Sequence, residues 1–239
     1  MKVRCDLHIH SCLSPCGGGE MTPRNITGLS ALLGLELIAL TDHNTCGNCR
    51  AAMAAGADQG LPVVPGMELT VREEAHILCF FPDIDRAERF SAHVYGRLPP
   101  IPNDPAIFGP QQYRDGEDRL LGEEPRLLLA AADIGAYEVQ ALCRDFGGVA
   151  VPAHLNKSSY SILSALGYAD PAMGFPVCEV TASCRAELLV SEHPELAGVA
   201  FIKNSDAHYL EQLGAAGQVL ELEEPGAPAL VAYFQRFLK

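Results

Sequence analysis

Short apolar runs recur along this chain, and each has a histidine or an acid at one end or within two residues of it. The runs span roughly Val3 to Ile9, Leu37 to Thr41, Pro62 to Leu69, His76 to Phe81, Val149 to His154, Val177 to Val180 and Ala200 to Asn204, with longer helical patterns between them. That alternation predicts parallel strands joined by crossover helices. If the strands close into a barrel, residues at their C-terminal ends meet on one face.

The polar residues fit that geometry. In Asp6-Leu7-His8-Ile9-His10, alternate side chains of a strand share a face, so Asp6, His8 and His10 point one way while Leu7 and Ile9 pack opposite. Two imidazoles so placed form a natural metal chelate. The spacing returns in Asp206-Ala207-His208, where a hard oxygen and a borderline nitrogen suit zinc, iron or manganese. Thr41-Asp42-His43-Asn44 ends the second run, Gly66-Met67-Glu68 the third and Pro152-Ala153-His154 the fifth, whereas His76 begins its run and fits the rim less simply. A lone histidine is most often a satisfied core or surface residue. Here only His93 and His193 of the eight histidines lie away from predicted strand edges, a clustering that scattered structural residues would not show.

At 239 residues the chain has the length of one large α/β domain. Its formal charge of −13, from 17 Lys and Arg against 30 Asp and Glu, argues against an extended nucleic-acid surface. Small anionic substrates remain compatible if metal ions or a local basic cluster oppose the field. Met1-Lys-Val-Arg-Cys-Asp carries no apolar leader and no run is long enough for a membrane span, so a cytoplasmic protein is expected. Nine cysteines, an odd number, agree with a reducing compartment. Cys79 and Cys178 lie in apolar runs and read as buried, while Cys12, Cys16, Cys46 and Cys49 lie in polar loops beside the histidine motifs. The CxxC spacing of Cys46 and Cys49 has no second copy, so a structural role is expected, with a disulfide or accessory metal site as the alternative.

Thr22-Pro23 predicts a helix start and a helix through Leu33; a second runs from Ala51 to Gln59 and stops at Gly60. Leu230, Tyr233, Phe234 and Phe237 form an i, i+3, i+4, i+7 stripe, predicting a helix that closes over the core. Between Gly96 and Pro125 the pattern breaks, with Pro99, Pro100, Pro102, Pro105 and Pro110 among polar residues. This stretch reads as a lid over a site or as a solvated excursion.

The order and wording of the motifs from His8 to His208 resemble the PHP family, named for its polymerase and histidinol phosphatase members. The resemblance implies an α/β fold, a distorted (β/α)7 barrel forming a single domain over residues 1–239 with the Pro-rich insertion at 96–125, and two or three divalent transition metals. His8 and His10 match the opening HxH, His43 the TDH histidine and Glu68 the metal-bridging glutamate; His76, His154, Asp206 and His208 match the remaining ligands. Where family phosphatases commonly carry a further His or Asp, this chain has Cys16 followed by Gly17. A thiolate binds zinc or iron well, so Cys16 is expected to substitute as a ligand; the alternative is a weak or absent third metal.

The implied activity is hydrolysis of a phosphate monoester, in a small molecule or nucleotide, by a metal-bound hydroxide. Glu68 would hold two metals together, and Asp206 or a neighbouring histidine such as His208 would assist protonation of the leaving oxygen. Lys157, three residues after His154, is the first expected phosphate partner, followed by Arg72, Arg185 and Ser183; for each, a solvated surface role is the ordinary alternative. Two other activities fit the same residues: an exonuclease trimming the ends of short oligonucleotides, and a noncatalytic metal-binding regulatory domain. The nearly complete ligand set favours catalysis. Metal-dependent C–N hydrolysis on a similar barrel would call for a bridging lysine or aspartate, and no strand-end lysine stands in that place.

Overall fold

A computed structural model of the chain describes residues 1–238, and all seven apolar runs form strands in it. These are β1 (Lys2–Ile9), β2 (Leu37–Leu40), β3 (Val63–Thr70), β4 (His76–Phe80) and, after a hairpin of β5 (Gln112–Arg114) and β6 (Leu120–Glu123), β7 (Val149–Pro152), β8 (Val177–Val180) and β9 (Ala200–Lys203). A further strand, β10 (Gln218–Glu221), follows. Helices α1 (Pro23–Leu32), α2 (Cys49–Gln59), α3 (Ile84–Tyr95), α4 (Ala136–Asp145), α5 (Ile162–Leu166), α6 (Ala186–Glu192) and α7 (Ala227–Gln235) occupy the intervals. Pro23 does begin α1, and α2 ends on Gly60 at φ 67°, the left-handed cap that glycine takes without a steric penalty. Among the described residues no helix is long and apolar enough to cross a membrane.

Six strands form one curled sheet in the order β10-β1-β2-β3-β4-β7, and β8 pairs with β9 in a separate parallel ribbon. β1, β2 and β3 are parallel, as the alternation predicts. β4 is not. It follows β3 through a short turn and pairs antiparallel, Thr70 opposite His76, and β7 is antiparallel to β4 in turn. β10 is likewise antiparallel to β1. Periodicity reports which residues face the core and carries no record of chain direction. The reversal also explains His76: β4 runs down where its neighbours run up, so its first residue sits at the rim where β1, β2, β3 and β7 end.

Two connections join the ribbon to the sheet at that rim. Leu155 N donates to Glu179 O at 2.8 Å beside β8, and past β9 the backbone pairs with β1 through His10 N to Ala207 O at 2.9 Å and Ala207 N to His8 O at 3.2 Å. The half-barrel sheet is thereby drawn into a ring at the end that carries the histidines.

Apolar side chains form two clusters, one involving α1 to α4 and the other involving α7. Val3, Cys5 and Leu7 belong to the second with Leu78, Phe80, Leu230 and Phe234, while Ile9 belongs to the first. The register of β1 against β2 shifts between Asp6 and Ile9, an irregularity that re-aims side chains. Strict alternation across Asp6 to His10 therefore fails. Asp6 accepts from the backbone N–H groups of Ser205 and Gly214, each at 3.0 Å, and fastens the returning chain to β1.

The Pro-rich segment contains the β5–β6 hairpin where no strand pattern is legible. Gln112 N donates to Cys12 O at 2.9 Å and Arg114 N to Asn48 Oδ1 at 3.0 Å. Gly109 has φ 98°, and a Cβ there would lie 2.2 Å from Pro15 O, so this segment rests directly on the loop following His10.

Candidate metal centre

Glu68 stands at the middle of the rim. Its Oε1 lies 3.2 Å from His8 Nε2, 3.1 Å from His76 Nδ1 and 3.1 Å from His154 Nε2; its Oε2 lies 3.3 Å from His10 Nε2 and 3.2 Å from His43 Nδ1. Asp206 Oδ1 approaches His8 Nε2 at 3.2 Å and His10 Nε2 at 3.3 Å, and lies 3.6 Å from His208 Nδ1. The residues expected from the sequence as His, Glu and Asp ligands thus meet in one place.

Local backbone features bring them there. Past the end of β2 the chain stays paired to β3, with Glu68 N donating to Asp42 O at 3.1 Å and Asn44 N to Glu68 O at 2.9 Å, which sets His43 beside Glu68. Six non-glycine residues among those described have positive φ, and four of them, Asn44, His154, Tyr160 and Asp206, are centre residues or their immediate neighbours. Such strain persists only where surroundings enforce it, and it concentrates at functional sites.

The hydrogen bonds around the rings set their tautomers. Glu179 can only accept, so His8 Nδ1, at 3.0 Å, carries the proton. Ser14 donates its hydroxyl to Asp42 at 2.6 Å and therefore accepts from His10 Nδ1 at 3.0 Å. His208 Nδ1 donates to the carbonyl of Asp206 at 2.9 Å. Each neutral ring then keeps its lone pair on Nε2, the arrangement found when partners beyond a metal orient its histidine ligands. His8 Nε2 and His10 Nε2 lie 3.1 Å apart, a repulsive contact for two lone pairs unless positive charge lies between them. His43 Nδ1 is buried and makes no hydrogen bond. Donor atoms in the groups His8–His10–Glu68, His10–His43–His208 and His43–Glu68–His76 lie within 4.8 Å of one another. These converging donors and their nitrogen and oxygen chemistry fit divalent transition ions.

Burial and neighbouring charge of opposite sign act on these groups in opposite directions. Burial pulls His8 down, but the carboxylates of Glu179, Asp206 and Glu68 outweigh it and hold the ring well above its ordinary value. His10, against the same burial, is raised to about 9 by Asp206 and Glu68. Burial holds His43 well below 6.5 and His208 down at about 4, reinforced by neighbouring imidazolium. Despite burial, the surrounding histidines hold Glu68, Asp206 and Glu179 below the usual carboxylate range.

Raised His8 and His10 stabilise the fold fully below 6.5, and that contribution is lost as pH climbs toward about 9. Depressed His43 and His208 act in the opposite sense: their contribution is present above 6.5 and declines toward about 4, where loss of the carboxylate contribution follows. Chelator-treated protein should therefore melt at its highest temperature near pH 6.5, with melting temperature falling on both sides. A flat profile from pH 5 to 9 would contradict these charge assignments.

Lys157 forms an ion pair with Asp206 and lines the cleft above the centre. Arg72, Ser183 and Arg185 do not line it. Arg72 is exposed and ion-paired with Asp133 at 2.8 Å, Ser183 is exposed beside Thr181, and Arg185 precedes α6. Cys16 joins none of the three-donor groups among the described residues, and burial together with the Glu68 charge pushes its thiol up to about 12. Cys46 and Cys49 are buried free thiols whose Sγ atoms both point to Gly66 O, at 3.2 and 3.4 Å.

Sequence reasoning missed Glu179. Only 2% exposed, it accepts from His8 Nδ1, His154 N at 2.8 Å and Asn204 Nδ2 at 2.7 Å. Its signal was available: an acid inside the apolar run Val177 to Val180 needs buried partners. Asp42 was quoted only as His43's neighbour, yet it accepts from Ser11 N, Ser11 Oγ and Ser14 Oγ and supports His10 through Ser14.

No family model matches the chain. Over 76 residues it is 38% identical to a 3',5'-nucleoside bisphosphate phosphatase of Chromobacterium violaceum, a segment covering 30% of this chain and 26% of that protein. The match thus spans about a quarter of the curated relative's length. Among solved structures, a Bifidobacterium adolescentis protein assigned as a metal-dependent phosphoesterase superposes with a TM-score of 0.61 at 20% identity, covering 98% of this chain and 96% of that one. A Chromobacterium violaceum protein assigned as an amidohydrolase, solved with bound sulfate and no metal, gives 0.61 at 20% identity over 98% and 97%. The lesion-specific endonuclease Q of Pyrococcus furiosus gives 0.66 at 17% identity, covering 99% of this chain and 56% of that one. At these identities the structural likeness is one of fold. The half-barrel, the order of its histidines and acids, and the stretch shared with the phosphatase together make the chain similar to metal-dependent phosphoesterases of the PHP type.

Proposed function

We propose that the protein hydrolyses a phosphate monoester, using two or three divalent ions of zinc, iron or manganese held by His8, His10, His43, Glu68, His76, His154, Asp206 and His208. The observation that carries this reading is Glu68, a buried carboxylate within 3.3 Å of five imidazole nitrogens. Bound there, such ions would lower the pKa of coordinated water and neutralise phosphoryl oxygens. The chain's own share is positioning. Glu179 and Ser14 orient His8 and His10, and Lys157 is a cation in the cleft lining, placed to meet an anionic oxygen. Asp206 holds Lys157 at the opening, and His208 presents its ring beside it. The sequence match to a bisphosphate phosphatase supports a small phosphorylated substrate.

Elemental analysis combined with a panel of phosphate esters tests the reading. Purified protein should carry two or three transition-metal ions per chain and turn over a simple phosphomonoester; chelation should abolish turnover and added metal restore it. Fully metallated protein inactive on every monoester and active on short oligonucleotides would replace this assignment with end-trimming nuclease activity. Inactivity on both would leave a metal-binding regulatory domain.

A further inference from the structure

Tyr160 has no part in the chemistry above, yet its placement is unusual for a surface residue. Its backbone is at φ 55°, a left-handed conformation that a bulky residue keeps only under constraint. The constraint comes from both sides: its carbonyl accepts from His76 N at 2.9 Å, and the next residue, Ser161, caps α5 through Ser164 N at 3.0 Å. The phenol ring stacks on the His76 imidazole with centroids 4.9 Å apart and planes 20° from parallel. The residue nevertheless remains 54% exposed, so the ring has a free face turned from the imidazole.

The cleft beneath is small. Its volume is about 140 Å³. Sites that bury a whole small-molecule ligand measure about 300–1,000 Å³. A phosphoryl group fits such a volume and its leaving group does not, so the leaving group must lie across the rim. Tyr160, Lys157 and Ser159 form that side of the rim. The formal charge of −13 and the presence of one Lys or Arg, Lys157, in the cleft lining among the described residues disfavour a long polyanion crossing there.

We propose that Tyr160 is the platform for an aromatic leaving group: the flat ring of a nucleoside base or an aryl ester stacks on its open face while the phosphoryl group lies beside Lys157. This deepens the monoesterase reading and rests on it. The positive φ serves to hold the ring across His76, and base–aromatic stacking tolerates any flat ring because each has a π-face.

The test uses metal-loaded protein and two substitutions, Tyr160→Leu, which keeps bulk without an aromatic face, and Tyr160→Phe, which keeps the face. The readout is the ratio of kcat/KM for adenosine 5'-monophosphate, or for phenyl phosphate, to that for glycerol phosphate. Damage to His76 lowers both terms together and cancels. The ratio should fall about tenfold or more in Tyr160→Leu, within the span of base–aromatic stacking, and stay within about twofold in Tyr160→Phe. A fall for the nucleotide alone assigns a base, and for phenyl phosphate alone an aryl ring near the ester oxygen; either supports the proposal. An unchanged ratio in Tyr160→Leu overturns it. Calorimetric binding of adenosine 5'-monophosphate and ribose 5-phosphate separates the two levels of inference. If the wild type binds but cleaves neither, the monoesterase reading fails, and a nucleotide preference lost in Tyr160→Leu still supports the platform. Equal binding of both by the wild type, together with an unchanged phenyl phosphate ratio in Tyr160→Leu, overturns the platform alone; binding of neither overturns both.

Discussion

Glu68→Gln should lower the proposed phosphomonoesterase turnover by on the order of 10³-fold or more, at least the scale of losing a principal electrostatic element of an active site. The substitution keeps the side chain's shape and changes what it offers. A carboxylate presents lone pairs in every direction in which the five imidazole nitrogens approach it. An amide replaces half of these with N–H donors and removes the charge that draws positive ions to the site. The first readout is turnover at saturating metal, and the second is metal content by elemental analysis, which should fall below that of the wild type. Full stoichiometry and wild-type turnover would remove Glu68 from the centre. Loss of turnover with full stoichiometry would keep it in the chemistry and reassign its bridging role.

Glu179→Gln is the second expected large effect, and it acts at a distance from the ions. Three donors converge on this carboxylate, from His8 Nδ1, His154 N and Asn204 Nδ2. Glutamine's carbonyl oxygen can serve some of them, but its amide nitrogen must face another donor inside a buried pocket, an unmade hydrogen bond with a full desolvation cost. The His8 ring then loses the partner that fixes its tautomer. Metal affinity should drop about 10–100-fold, the effect seen when partners of ligating histidines are removed. Turnover measured against free metal concentration should recover largely at excess metal, in contrast to Glu68→Gln. Unaltered metal affinity would reduce Glu179 to a packing role.

The contrast between these two acids shows what a single sequence makes legible. Glu68 sits in a run whose neighbours of the same kind end in histidine, so repetition identifies it. Glu179 touches no expected ion and has no counterpart in the other runs; its role depends on His8, 171 positions away. Strand positions were recoverable to within a residue or two because the apolar runs are short and sharply bounded. Direction was not, since β4 and a parallel strand have the same pattern of buried residues. β10 is a short edge strand with one buried residue, Leu220, too little for a periodic signal. The β5–β6 hairpin is held by bonds to Cys12 and Asn48 rather than by apolar alternation, which is why its sequence reads as loop. α3 was legible and passed over: Asp83 caps it through Arg86 N, and Ala87, Phe90 and Val94 form its buried stripe.

The bonds that fasten β1 to the residues following β9 have a consequence for how the chain is made. Leu7 N donates to Asn204 across 197 positions, and Ser205 N to Asp6 across 199. Closures of that span come late, because loop entropy must be overcome before the contacts reward it. A polypeptide emerging from its N-terminus therefore carries His8 and His10 through most of its synthesis without Glu179 or Asp206. A centre built on the first histidine pair would therefore be completed only once β8, β9 and the residues after them have folded back onto β1.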